Sequence, residues 1–199
     1  MKPFSREKIF NVPNLLSSYR LVMAPVIVLL ALSEERTFFV LFLCISLVTD
    51  VLDGIVARAW NSRTSFGSRL DSVADEMTYV AALVGAFKFE YQALKPHAPL
   101  LYVFIVLLAL ATVIPLIKFR KIPSFHLYSS KVNALFQASF FFCLFVFDFY
   151  IYLYYPVFTF GILACLEVIA ITLILDNPIS DAKGLYWVLL EKHGGRKKS

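Results

Sequence analysis

The chain has 199 residues, 59% hydrophobic and 17% charged, with 20 Phe, 10 Tyr and a mean hydropathy of +0.73. Soluble domains run nearer half apolar, so a soluble domain with a large core is excluded and an integral membrane protein is expected. The formal charge of +5 does not require nucleic acid as a partner, because basic loops facing anionic lipid headgroups account for it.

The first dozen residues, "MKPFSREKIFNV", mix Phe4, Ile9 and Phe10 with charges, as an interfacial helix lying on the headgroups would. A spanning helix needs roughly 20 apolar residues. Six stretches meet that need, near 13–32, 37–60, 66–89, 99–118, 131–154 and 156–176. The first is long and lacks a small-residue cleavage site, so a span rather than a cleavable signal peptide is expected. The second and third lose their apolar character at the ends that face each other, across the short polar linker from Asn61 to Ser65. They predict an antiparallel helical hairpin with a wet mouth. Cys44, Cys143 and Cys165 lie inside apolar runs, match no metal or redox spacing, and are expected to be reduced and structural. Residues 177–199 form a tail whose end, "EKHGGRKKS", is basic and Gly-containing, expected to be disordered and to touch anionic lipid. No internal repeat or second domain is visible, so residues 1–199 read as one membrane domain.

Charge sets the orientation. With the N-terminus in the cytoplasm, the inner face holds 16 of the 19 basic residues, and the outer face holds Arg36, Lys88 and Lys95. The positive-inside rule then places both termini in the cytoplasm, with a bacterial inner or plasma membrane as the expected location. The expected fold is an all-α bundle of six transmembrane helices, with polar chemistry at the cytoplasmic ends of the second and third.

That chemistry lies in "TDVLDGIVARAWNSRTSFGSRLDSVADE", residues 49 to 76. A carboxylate at membrane depth costs several kcal/mol unless it is paired, hydrated or metal-bound. On a helix Asp50, Asp53, Gly54, Ala57 and Arg58 share a face, and so do Gly67, Asp71 and Asp75 on the next. Two helices joined by a tight turn can aim both faces into one cavity. Unpaired carboxylates brought together would repel and hold protons. Hard divalent cations resolve this, and Mg²⁺ is typically held by carboxylates together with substrate phosphates. Two such ions sharing aspartates suit a phosphoryl displacement, and neighbouring guanidinium groups suit phosphate. The alternative is structural ion pairing of the aspartates with Arg58, Arg63 and Arg69.

The spacing D-x2-D-G-x2-A-R-x8-G-x3-D-x3-D is met at every fixed position, by Asp50, Asp53, Gly54, Ala57, Arg58, Gly67, Asp71 and Asp75. It resembles the signature of the CDP-alcohol phosphatidyltransferases, whose helical fold is similar to the six predicted spans. The resemblance implies that Asp50, Asp53, Asp71 and Asp75 bind a pair of Mg²⁺ or Mn²⁺ ions. It implies that Asp71 and Asp75 are catalytic, with Asp75 the general base for the acceptor hydroxyl. Gly54, Ala57, Arg58 and Gly67 would line the CDP pocket. The substrate would be CDP-diacylglycerol, the leaving group CMP, and the protein a homodimer in the bilayer.

The run "NVPNLLSSYRLVMAPVIVLL" is similar to the start of the phosphatidylglycerophosphate synthases and cardiolipin synthases of that family, through Asn14, Ser17, Arg20 and Pro25. After the fourth span, "KFRKIPSFHLYSSK" gathers Lys118, Arg120, Lys121, His126 and Lys131. Cations there suit a phosphorylated acceptor, although positive-inside charge alone would produce them too. Lys131, Arg120, Lys121, Arg20 and Asn14 are therefore the acceptor-binding expectation, with Arg20 and Asn14 otherwise snorkelling or capping at the interface. Glycerol 3-phosphate is the favoured acceptor; inositol phosphate, serine and phosphatidylglycerol are alternatives. Two other classes compete: a cation transporter using the aspartates as its ion site, and a non-catalytic scaffold. A transporter would want acids at the bilayer midplane and often a repeat. A scaffold would be expected to lose an aspartate, and all four are present.

Overall fold

A computed structural model describes residues 11–59, 65–119, 127–175 and 184–195, without the side chains of 53–59, 65, 66, 68, 69 and 191–195. Among the described residues every regular element is helical: α1 (Val12–Leu32), α2 (Arg36–Ala59), α3 (Ser65–Phe89), the short α4 (Tyr91–Leu94), a 3₁₀ turn (Lys95–His97), α5 (Ala98–Phe119), α6 (Tyr128–Val146), α7 (Ile151–Ile174) and α8 (Leu185–Gly195). Among the described residues four stretches are long and apolar enough to cross a membrane: Val12–Leu32, Tyr91–Phe119, Tyr128–Val146 and Ile151–Ile174. The other two long helices, α2 and α3, carry the acids of the signature. The chain divides into two compact units, Met1–Lys95 and Pro96–Ser199.

In the first unit α1 begins where the sequence supplies a cap. Asn11 is the N-cap, its Oδ1 accepts the Asn14 backbone N–H at 2.9 Å, and Pro13 follows in the first turn. Asn14 is thus capped rather than capping. The buried stripe Asn14, Ser17, Arg20, Ala24, Ile27 and Ala31 follows helical spacing. Among the described residues, α1 packs on both α2 and α3, so the expected two-helix hairpin has a third wall.

The register of α2 against α3 is set where Phe39 is buried on Gly85. A Cβ on Gly85 would lie 2.0 Å from Phe39 Cζ, so only glycine admits the ring. Phe39 also meets Phe89, with ring centroids 5.3 Å apart. Beyond this contact, Arg36 pairs with Glu90 at 2.6 Å and Lys88 with Glu34 at 2.8 Å. Eleven residues onward along α2 stands Asp50, and ten back along α3 stands Asp75. One antiparallel register therefore places both the glycine contact and the acids.

In the second unit α7 packs on α5, α6 and α8. Gly161 lets α5 and α6 approach, since a Cβ there would meet Phe104 Cε2 at 2.7 Å and Asn133 Oδ1 at 3.1 Å. Phe158 stacks edge-on against Phe104 and Phe140, at 5.3 and 5.1 Å. Of the 140–142 run, Phe140 and Phe141 are core and Phe142 is exposed.

Two expectations change here. The fifth span was expected to run to residue 154 and the sixth to begin at 156; α6 instead ends at Val146 and α7 starts at Ile151. Asp148 is the reason: it sits exposed in the turn, where its side chain accepts the Phe149 N–H at 2.7 Å, a local bond that competes with helix. The tail is not wholly irregular either, because α8 reaches Gly195. Its start is anchored: Glu167 of α7 accepts the Leu185 N–H at 2.8 Å and a hydrogen bond from Ser129 Oγ of α6. Val188 completes a buried cluster with Leu127 and Ile171. Residues 1–10 and 196–199, and with them most of the expected interfacial segment and the end of the tail, lie outside the described residues.

Candidate active site

The site is built on the first unit. Asp50 comes from α2, Asp71 and Asp75 from α3, four residues apart and so on one face. One carboxylate oxygen from each lies within 4.8 Å of the others. Buried Ala74 and Thr78 pack the same helix inward, while the three acid side chains keep 36%, 42% and 43% exposure. Gly67 is buried one turn before Asp71.

Beneath the carboxylates lies Arg20 of α1, 1% exposed. Its Nη1 donates to Asp50 Oδ1 at 2.7 Å and also to Asp75 Oδ1, and its Nη2 donates to Asp71 Oδ1 at 2.6 Å. Ser17, one turn earlier, places its Oγ 3.4 Å from Asp71 Oδ1 and 3.2 Å from the Pro13 carbonyl. A buried guanidinium requires such partners, because an unpaired charge at this depth is far costlier than a paired one. Three carboxylates against one guanidinium leave an excess of negative charge that is open to solvent on one side.

The donor set fits a hard divalent cation. It offers only carboxylate oxygens, from two helices, close enough to share one ion, and partly exposed. Of the expected metal ligands, Asp50, Asp71 and Asp75 come together. The side chains of Asp53, Gly54, Ala57 and Arg58 lie outside the described residues, although their backbone continues α2. Structural pairing with Arg58, Arg63 and Arg69 was the alternative, and their side chains lie outside the described residues; among the described residues the acids pair with Arg20.

The acceptor-binding expectations divide. Arg20 does not snorkel: it is buried on the acids. Asn14 is buried in the first turn of α1. Lys131 belongs to the second unit, where it is exposed and lies 5.9 Å from the Tyr128 ring. Arg120, Lys121 and His126 lie outside the described residues. Lys118 is engaged elsewhere, donating to the carbonyls of Thr172 and Leu173 at 2.9 and 3.2 Å, where a cation complements the end of α7. Glu76, beside Asp75, is exposed. Sequence reasoning placed Arg20 correctly among the polar residues of α1 but missed its partners. The available signal was its spacing: Asn14, Ser17 and Arg20 recur on the one stripe of an apolar helix that must be buried.

A family profile described as CDP-alcohol phosphatidyltransferase matches residues 10–175. The chain belongs to the CDP-alcohol phosphatidyltransferase family. Among curated proteins it is similar to the CDP-diacylglycerol–glycerol-3-phosphate 3-phosphatidyltransferases of Escherichia coli strain K12 and of Shigella flexneri serotype 5b, each 40% identical over 78 residues. Those residues are 38% of this chain and 43% of the relative, so the similarity spans less than half the length of the curated proteins it matches. No solved structure matches significantly.

Proposed function

We propose that this chain is a membrane transferase that moves a phosphatidyl group from CDP-diacylglycerol to an alcohol, releasing CMP, with glycerol 3-phosphate as the acceptor. The observation that carries the reading is the gathering of Asp50, Asp71 and Asp75, spaced as the family signature requires, around carboxylate oxygens within 4.8 Å. Family membership supports the reaction class, and the names of the similar bacterial proteins support the acceptor.

The residues divide the work as follows. Asp50, Asp53, Asp71 and Asp75 hold the divalent cations, Mg²⁺ or Mn²⁺. When bound, such ions neutralise phosphate charge and acidify a nearby hydroxyl. Gly54, Ala57 and Gly67 leave room for CDP, and Arg58 pairs with its phosphates. Asp75 takes the acceptor's hydroxyl proton, the freed oxygen forms a bond to the β-phosphorus, and the bond from that phosphorus to CMP breaks with its electron pair leaving on CMP. Asn14, Arg120, Lys121 and Lys131 bind the acceptor's phosphate; the pairing of Arg20 favours the aspartates as its role. The reading includes six spans in one membrane domain, both termini in the cytoplasm of a bacterium, and a homodimer.

The test is CMP release by the purified chain in detergent, with CDP-diacylglycerol, Mg²⁺ or Mn²⁺, and one acceptor at a time. Glycerol 3-phosphate should support release, and EDTA or Asp71→Asn should abolish it, by at least roughly a thousandfold. Release with serine, inositol phosphate or phosphatidylglycerol instead would keep the reaction and replace the acceptor. Turnover unchanged in Asp71→Asn would refute the site.

A further inference from the structure

Arg20 is the most deeply buried charge among the described residues, and its guanidinium touches all three acids that a divalent cation would use. A guanidinium is a flat fork of donors that cannot lose its proton in a protein, so it is a permanent charge at this place. It rises from α1, a helix that contributes no acid to the cluster but packs on both helices that do. Three carboxylates so close repel one another strongly where water is partly excluded. Nη1 bridges the two helices by touching Asp50 and Asp75 together, so the pairing ties α2 to α3 through α1.

We propose that Arg20 is the site's own counter-cation: it assembles the three carboxylates, and it competes with the divalent cation for their charge. The inference rests on the metal-site reading given above and deepens it. Arg20 is on this view a positioning residue, fixed beneath the acids and making no contact with the reacting atoms. Two consequences of opposite sign follow. Removing its charge loosens the metal-free protein, because the acids then face one another unpaired. The same removal strengthens cation binding, because the cluster becomes more negative and gives up no ion pair to accept the ion. A merely structural arginine would move stability and leave affinity equal or lower.

The experiment is Mn²⁺ binding to the full-length chain in detergent, without lipid or nucleotide, followed by the electron paramagnetic resonance of free Mn²⁺. Thermal unfolding by circular dichroism is measured alongside. Arg20→Gln is expected to bind Mn²⁺ on the order of tenfold more tightly than the parent, to unfold at a lower temperature without metal, and to gain more from added Mn²⁺ than the parent does. Should Arg20→Gln not fold, Arg20→Lys carries the same test. A single ammonium cannot bridge three carboxylates, so its affinity should rise too, by less. Equal or weaker Mn²⁺ binding in the folded variants, with the parent binding normally, would overturn the counter-cation role and leave the metal site standing. No Mn²⁺ bound by parent or variants would overturn the metal site itself, and this inference with it.

Discussion

Gly85→Ala isolates the contact that sets the α2–α3 register. In an ordinary helix this substitution is stabilising by about 1 kcal/mol, because glycine loses more backbone freedom on folding. Here the new methyl would meet Phe39 Cζ at 2.0 Å and Cε1 and Cε2 at 2.6 Å. Ordinary contact is near 3.5 to 4.0 Å, so the ring or the helix must retreat by about 1.5 Å. The ring cannot swing clear cheaply, since Phe39 is fully buried and packed on Phe89. Overpacking of this kind typically costs about 1–3 kcal/mol. With the propensity gain subtracted, a net loss of up to roughly 2 kcal/mol is expected. Thermal unfolding of parent and variant in one detergent measures it. Gly85→Ala combined with Phe39→Leu should recover most of the loss, because a smaller side chain leaves room for the methyl. The same shift should reach the acids: CMP release should fall by more than the unfolded fraction accounts for. A variant more stable than the parent, by about the 1 kcal/mol that helix propensity alone would give, would show that the ring does not sit on Gly85 and that the register argument is wrong.

Glu167→Ala should free the start of α8, since the described side-chain bond that anchors it, from the Leu185 N–H, ends on that carboxylate, which Ser129 Oγ of α6 holds in place. Bonds to a charged group are worth about 1.5–3 kcal/mol, so amide exchange over residues 185–195 should accelerate by at least roughly tenfold while α5–α7 stay protected. Uniform protection would refute the anchor. Glu34 is fully exposed, and its hydrogen bond and ion pair with Lys88 hold its carboxyl below the ordinary value of 4.5. A lowered folded-state value means that the pair's stabilisation is present above the unfolded value and is lost as pH falls through the folded one. The parent's small advantage in thermal stability over Glu34→Gln at neutral pH should therefore shrink as pH falls below 4.5 and disappear in acid, and also in high salt. An advantage that survives both would have another cause.

The helices were legible because their cause is local. Apolar length, the Asn11–Pro13 cap and the polar linker fix α1 to α3 within a residue or two of where hydropathy puts them. The end of α6 was not legible, because it is decided by one side chain, Asp148, bonding the next backbone N–H inside a run whose hydropathy barely changes. The acids were legible through their spacing, which the helix repeat converts directly into a shared face. Arg20 was not, since its role depends on a third helix packing on the other two. Hydropathy reads such a residue as a charge near an interface, whereas only burial requires it to find partners.

That third helix also explains why the acids can be kept in so apolar a chain. With α2 and α3 alone, Asp50, Asp71 and Asp75 would meet across a cleft with nothing but water or a metal to hold them together. The metal-free protein would then have to protonate or splay them. Arg20 supplies a buried positive charge from behind, so each acid has a partner on its inner side and exposure on its outer side. Negative charge then survives on the face where a cation and a phosphate must arrive. It can do so in so apolar a chain only because the buried permanent charge below it is itself paired with all three acids.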